Sequence, residues 1–340
     1  MRRVLRTVAG PALLLLAAAC GGGPQSALDP AGDQAGHLHG LFKLMLWVCG
    51  GTYLLMLGFL GWSIWRSLHN QGVGREASAA GLDRGLRAGL GLWAGIVVIG
   101  LATLAAASFL VDRALASARA DREAIAIRVT AHQWWWRIEY RNPATGALIE
   151  TANELHLPAD RTARIELHAA DVIHSFWLPN LGGKLDVIPG RVNLLDITPR
   201  RIGWYRGQCA EFCGLQHALM ALDLRVAPEE EFAGWLAAQA APAAAPDDAM
   251  LARGRAVLEG GSCAVCHTVR GTAAAGKAGP DLTHVGSRRS IAAGWLPNNR
   301  GNLHGWILNP DALKPGTSMP AAELAPEDAD VLARYLEWLR

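Results

Sequence analysis

Charge imbalance is the first thing this sequence lacks. Its 32 Lys and Arg stand against 30 Asp and Glu, a net +2 over 340 residues. No strongly basic or acidic partner is implied, and nucleic-acid binding is disfavoured. No internal repeat is visible. Cysteine is scarce: there are six, and none follows Cys266. Charge is missing altogether from residues 44–65 and 88–111, runs of 22 and 24 residues. Each exceeds the roughly 20 residues that carry a helix across a bilayer. They absorb much of the 51% hydrophobic composition.

These runs predict a transmembrane hairpin over residues 40–111. The loop between them carries Arg66, Arg75, Arg84 and Arg87 against Glu76 and Asp83, a basic excess that places the loop in the cytoplasm. Ahead of the hairpin, Arg2, Arg3 and Arg6 precede a short apolar stretch, the pattern of an export signal over residues 1–20. Ala17, Ala18 and Ala19 before Cys20 resemble a bacterial lipoprotein cleavage site, although a larger apolar residue is usual where Ala17 stands. Ordinary cleavage nearby is the alternative. Both signals put the rest of the chain outside the cytoplasm, where thiols are protected by metal, haem or disulfide pairing.

From residue 124 the pattern changes to alternation. Ile125, Ile127 and Val129 are apolar at period two, as are Ala163, Ile165 and Leu167, then Leu222, Leu224 and Val226. Prolines and glycines punctuate these runs. The pattern predicts short strands in a β-sandwich or barrel over residues 124–228. Residues 229–246 are rich in Ala and Pro and read as a linker. Residues 247–340 read as helical, with Pro326, Glu327 and Asp328 marking a helix start.

Within that last segment, Cys263-Ala-Val-Cys266-His267 is C-x-x-C-H. Two thiols at this spacing can add to the two vinyl groups of a haem, and the next histidine then lies under the iron. Zinc would need two further ligands, for which only His284 and His304 remain. Met319, in the KPGTSMP loop at residues 314–320, is the only methionine after His267. It is the candidate sixth iron ligand; a core methionine is the plainer alternative. The CAVCH motif, the GPDL loop at residues 279–282 and the GTSMP loop resemble the class I cytochrome c family. That resemblance implies a small helical bundle around a covalent haem c, with the Pro280 carbonyl supporting the axial histidine.

A second constellation lies in GQCAEFCGLQHALM, residues 207–220. Soft thiolate and thioether donors with imidazole select copper rather than hard cations. Cys209, Cys213, His217 and Met220 supply two thiolates, one imidazole and one thioether. A single blue copper takes one cysteine; two thiolates could bridge two coppers, and one imidazole is then missing. His174, in ADVIHSFWLP at residues 170–179, is the candidate.

Together with the two apolar runs, the β-region and His132-Gln-Trp-Trp-Trp136, these segments resemble subunit II of the haem-copper cytochrome c oxidases over residues 40–228. The resemblance implies a multi-domain membrane protein: a two-helix hairpin, an all-β cupredoxin-like barrel and a small all-α cytochrome c domain. It also implies a dinuclear copper A centre. Cys209 and Cys213 would bridge, and His174 and His217 would each bind one copper. Met220 and the Glu211 carbonyl would complete the two sites. The Glu211 side chain would face a magnesium shared with subunit I. Trp134 matches the aromatic residue through which electrons enter.

Implied partners are the membrane, subunit I, which reduces O2, and subunit III. The electron donor would be external cytochrome c or a quinol–cytochrome c reductase. Asp171 reads as structural or as a docking-face charge, and His132, His156 and His168 as non-ligands. One departure stands out: Leu90 occupies the position where the family often carries a glutamate at the mouth of a proton path. Alternative readings are the copper A subunit of a nitric oxide reductase and a standalone membrane-tethered electron carrier.

Overall fold

A computed structural model of the chain describes residues 22–69, 79–117, 121, 123–142 and 145–340. The export-signal reading of residues 1–20, with Cys20, and the loop charges Arg75 and Glu76 lie outside the described residues. Residues 37–117 form one compact unit, and the remaining described residues form another.

Two helices make up the first unit, α1 (Asp33–His69) from residue 37 onward and α2 (Ala79–Ser117). Both outrun the charge-free stretches that predict them. Their large apolar side chains, among them Leu54, Phe59, Val98, Leu101 and Phe109, are exposed. A helix that is apolar all round and unburied needs an apolar surround, and both helices are long and apolar enough to cross a membrane. Where α2 meets α1, a Cβ on Gly100 would lie 3.3 Å from Val48.

In the second unit, ten strands form two five-stranded sheets. The strands are β1 (Ile125–His132), β2 (Trp135–Arg141), β3 (Leu148–Ala152), β4 (Glu154–Pro158), β5 (Ala163–Ala169), β6 (His174–Trp177), β7 (Leu185–Val187), β8 (Asn193–Ile197), β9 (Gly203–Cys209) and β10 (Ala221–Ala227). The sheet orders are β3-β2-β1-β5-β8 and β4-β10-β9-β6-β7. Alternation works as the sequence predicts: along β1 and β5 every second residue is buried, because successive strand side chains face opposite ways. Val129, Trp136, Ile138, Leu155, Leu167, Phe176 and Leu224 fill the space between the sheets. This is the cupredoxin-like domain.

The tryptophan run is not one strand. Trp134 lies in the turn between β1 and β2, Trp135 opens β2, and Trp136 is fully buried. The expected linker also folds: residues 229–240 form helix α3 (Glu229–Ala240). Glu229, Glu230 and Glu231 occupy its first turn, where negative charge complements the helix dipole. Phe232 joins the β-core, and Trp235 stacks on His156 at 3.9 Å between ring centroids.

The cytochrome c segment has its own core around α4 (Ala249–Gly260), α5 (Cys263–Cys266), α6 (Arg300–Leu308), α7 (Pro310–Leu313) and α8 (Pro326–Trp338). Asp248 caps α4 by accepting from the Leu251 N–H at 2.7 Å, and Pro326 stands in the first turn of α8. Leu251 and Leu258 pack against Leu332, Tyr335 and Leu336. The two helices cross so closely at Gly254 that a Cβ there would lie 2.3 Å from the Val331 carbonyl oxygen.

Candidate metal and haem centres

β9 ends at Cys209, and β10 begins one residue after Met220. The connecting loop therefore carries all four donors of the second constellation. β6 lies antiparallel beside β9, with Phe176 opposite Cys209, which brings His174 under the loop from 35 residues upstream. The Cys209 and Cys213 sulfurs are 3.7 Å apart. His174 Nδ1 lies 3.8 Å from Cys209 Sγ, and His217 Nδ1 lies 3.7 Å from Cys213 Sγ. Met220 Sδ is 4.0 Å from Cys213 Sγ, and the Glu211 carbonyl oxygen is 3.3 Å from Cys209 Sγ.

The other four expected donors, His174, His217, Met220 and the Glu211 carbonyl, thus surround the Cys209–Cys213 sulfur pair. His174, Cys209 and Cys213 have ligand atoms within 4.8 Å of one another, and all three are buried. Two sulfurs that share a metal at about 2.3 Å each can stand no more than about 4.6 Å apart, so the sulfur pair fits a shared ion. The imidazoles approach different sulfurs, one at each end of the pair. A soft donor set of this kind fits copper.

The two thiols titrate as a unit. The contact with the Cys213 sulfur, helped by the His174 ring and nearby backbone groups, holds the Cys209 thiol well below its ordinary range against burial. The same contact, with burial, pushes the Cys213 thiol up, since a second thiolate beside the first is costly. His174 is raised: burial opposes its charged form, but contacts with Cys209 and Asp171 outweigh it.

Asp171 is the residue that sequence reasoning undervalued. Its Oδ1 lies 2.8 Å from His174 Nε2, and its Oδ2 accepts from the Gln133 N–H at 2.6 Å. A carboxylate behind an imidazole fixes which ring nitrogen is free to bind. Its place three residues before His174 was the available signal. Gln133 Nε2 and Trp134 Nε1 both donate to the Cys213 carbonyl, at 2.8 and 3.0 Å. Trp134 is therefore one hydrogen bond from a bridging candidate. His156 instead pairs with Glu154 at 2.9 Å, and His132 stacks on Trp135; neither joins the clustered donors.

In the cytochrome c segment, Cys263 and Cys266 are half-buried free thiols on α5. His267 Nδ1 sits 2.8 Å from the Pro280 carbonyl, as the resemblance implies. A proton held there leaves Nε2 free as a donor, and burial keeps the ring neutral by lowering its pKa. Gly279 lets the loop press on this ring: a Cβ there would lie 2.6 Å from His267 Cε1. Met319 is half-buried on its loop. Arg288 is buried, and its Nε finds no partner among the described residues. Its Nη2 donates to the Asp281 carbonyl, and Asp281, Glu154 and Glu150 balance its charge, so one buried N–H is left for an acceptor such as a haem carboxylate. The residues present fit a haem.

The methionine loop of the cytochrome c segment touches the copper-side loops. Gln216 Nε2 donates to the Lys314 and Pro315 carbonyls at 2.8 and 2.7 Å. Lys314 Nζ donates to the Trp134 carbonyl at 3.4 Å, and burial pulls its pKa down to about 8. Neither Gln216 nor Lys314 stands out in the sequence.

The family described as "Cytochrome C oxidase subunit II, periplasmic domain" matches residues 125–226, and the family described as "Cytochrome c" matches residues 251–340. Cytochrome c oxidase subunit 2 of Alkalihalophilus pseudofirmus is 40% identical over 215 residues, spanning 63% of this chain and 61% of the relative. The same subunit of Bacillus sp. strain PS3 is 33% identical over 267 residues, spanning 73% of each chain. The periplasmic domain of subunit II of cytochrome oxidase (CoxB) of Bradyrhizobium japonicum is 34% identical. It covers 34% of this chain and 93% of that structure, with a TM-score of 0.32.

Proposed function

Because the chain belongs to the cytochrome c oxidase subunit II family, with a fused cytochrome c segment, we propose that it is the electron-transfer subunit of a haem-copper oxidase. The observation that carries this reading is the donor cluster: two sulfurs 3.7 Å apart, with one imidazole at each end. Cys209 and Cys213 would hold a dinuclear copper A centre, flanked by His174 and His217, with Met220 and the Glu211 carbonyl completing it. Cys263 and Cys266 would bind a haem c covalently, and His267 and Met319 would hold its iron. When bound, these groups supply one-electron redox chemistry.

The chain's own residues hold, orient and shield. Asp171 fixes the His174 ring. Pro280 fixes the His267 ring. Burial of Cys209, Cys213, His174 and Met220 excludes water from the donors. Trp134 bridges the Cys213 carbonyl to the outer face as the place where electrons enter. The Glu211 side chain would meet a magnesium at the subunit I interface. The hairpin would set the β-domain and cytochrome c segment on the extracytoplasmic side of the cell membrane. Subunit I would reduce O2 and pump protons. Subunit III would be a further partner, and external cytochrome c or a quinol–cytochrome c reductase the donor.

The test is metal analysis with electron paramagnetic resonance on the purified full chain. Two coppers and one iron per chain are expected, with one unpaired electron shared between two copper nuclei. His174→Asn is expected to abolish the sharing and leave the haem absorption intact. Zinc, a single copper, or sharing that survives the substitution would overturn the reading.

A further inference from the structure

The methionine loop of the cytochrome c segment, residues 314–320, lies against both chain segments that wrap Cys213. Gln216 sits in the copper loop beside His217 and is 2% exposed. Its amide donates to two successive loop carbonyls, Lys314 at 2.8 Å and Pro315 at 2.7 Å. On the loop's other side, Lys314 Nζ donates to the carbonyls of Trp134 at 3.4 Å and Ala292 at 3.0 Å. Ser318, next to Met319, donates from Oγ to the Gln133 carbonyl at 3.4 Å. Gln133 and Trp134 in turn both donate to the Cys213 carbonyl. Gly316, between Lys314 and Ser318 in the loop, has φ +81°, a backbone conformation that favours glycine.

General attachment of the segment does not depend on this patch. Elsewhere the Arg289 N–H donates to Glu154 Oε2 at 3.1 Å, the Ala221 N–H donates to the Ala293 carbonyl at 3.0 Å, and Ser290 Oγ donates to Asp223. A buried amide that spends both protons on one loop fixes the register of that loop rather than the attachment of a domain, since unpaired buried carbonyls are costly.

Resting on the function proposed above, we propose that Gln216 is the positioning residue of the haem-to-copper interface. It clamps the methionine loop against the turn of Gln133 and Trp134, with Lys314 as the matching clamp from the other side. The surface recognised is this chain's own cytochrome c segment, and the clamp sets the register between the loop bearing Met319 and the loop bearing Cys213.

Hydrogen–deuterium exchange on the full-length chain in detergent tests this without reference to turnover. In Gln216→Leu, peptides covering residues 131–136 and 314–320 are expected to lose protection together. The loss is roughly tenfold, the change in an equilibrium governed by about one buried hydrogen-bonding group. Peptides from β5 and α8 should not change. Lys314→Met is expected to loosen the same two peptides. In chains with full copper and haem content, flash reduction of the haem should be followed by copper reduction slowed by a similar factor, with both absorption spectra unaltered. Unchanged exchange in both peptides, or a wild-type rate in both variants at full cofactor content, overturns the proposal. If Gln216→Leu loses protection everywhere, Lys314→Met decides on the same peptides. Absence of copper or haem would instead refute the proposed function and leave the exchange result standing.

Discussion

Replacing Gly279 by alanine should disable the haem site from behind. The new methyl group would lie 2.6 Å from His267 Cε1, 2.9 Å from Nδ1 and 3.1 Å from Nε2. Carbon contacts settle at about 3.5–4.0 Å, so the ring must retreat by about 1 Å. It is not free to do so. Nδ1 is tied to the Pro280 carbonyl at 2.8 Å, the His267 N–H donates to the Cys263 carbonyl at 2.9 Å, and the Gly279 N–H donates to the Cys266 carbonyl at 2.8 Å. Overpacking of this kind costs about 1–3 kcal/mol, and a broken tether adds about 1 kcal/mol. Alanine returns about 0.4–1 kcal/mol by restricting the unfolded chain. A net loss of about 2 kcal/mol remains. A domain of this size loses about 4–8 °C in Tm for each kcal/mol, so the haem-monitored transition of the full chain should fall by about 10 °C. The same sample should show weakened histidine ligation in its haem absorption. A transition within about 2 °C of wild type, with ligation intact, would refute the reasoning that Gly279 exists to let the loop reach the ring.

Three further outcomes are expected. Asp171→Asn removes the charge behind His174 Nε2 and should weaken copper binding about 10–100-fold, read by chelator competition; unchanged affinity would show that the carboxylate does not orient the ligand. Gly254→Ala forces a Cβ to 2.3 Å from the Val331 carbonyl, a backbone atom with no rotamer to yield. Overpacking of about 1–3 kcal/mol exceeds the helix gain of about 0.5–1 kcal/mol, so the haem-monitored melt should drop while the β-domain melt holds.

The Lys314 ammonium, lowered from 10.5 to about 8 mainly by burial, is carried more by the unfolded chain than by the folded one between those values. Stability should therefore rise with pH across that window, by up to about 3 kcal/mol. It is lost again as pH falls through 8. Lys314→Met should flatten the rise in urea titrations at pH 7.5 to 10.5, and an identical pH profile in the variant would exclude the lysine as its source.

The candidate copper donors are legible where the chain packs them into one loop. Cys209, Cys213, His217 and Met220 lie within 12 residues, between the end of β9 and the start of β10, so spacing alone places them together. His174 is different in kind. Nothing local links it to the loop, and its place follows from β6 pairing beside β9, a tertiary fact that only the family resemblance anticipated. Strand alternation announced the sandwich because each inner face is buried. It could not say that Trp134 turns out of the run while Trp135 and Trp136 continue into β2.

Ala and Pro dominate the composition of residues 229–246, but Phe232 and Trp235 reach the β-core and hold residues 229–240 there as a helix. Gln216 and Lys314 were silent for a related reason. A glutamine or lysine is normally a solvated residue, and only the approach of another domain turns either into a buried contact.

That last point changes how the fusion works physically. A flexible tether raises a donor's effective concentration near its acceptor but leaves the pair to find its orientation by diffusion. Here the connection is not a free coil. Residues 229–240 are helical and packed on the sandwich. The Gln239 carbonyl accepts from Arg270 Nη2 at 2.5 Å, and the Ala241 carbonyl lies 3.0 Å from His284 Nε2. The Ala243 N–H donates to the Arg270 carbonyl at 2.8 Å. The far end of the contact is held by Glu154 and Asp223 on β4 and β10. With both ends fixed, much of the orientational entropy is lost on folding rather than at each encounter. The contacts made by Gln216, Lys314 and Ser318 then need only set the last ångström or so. On the proposed function, fixed docking rather than high local concentration is therefore what the fused cytochrome c segment would contribute.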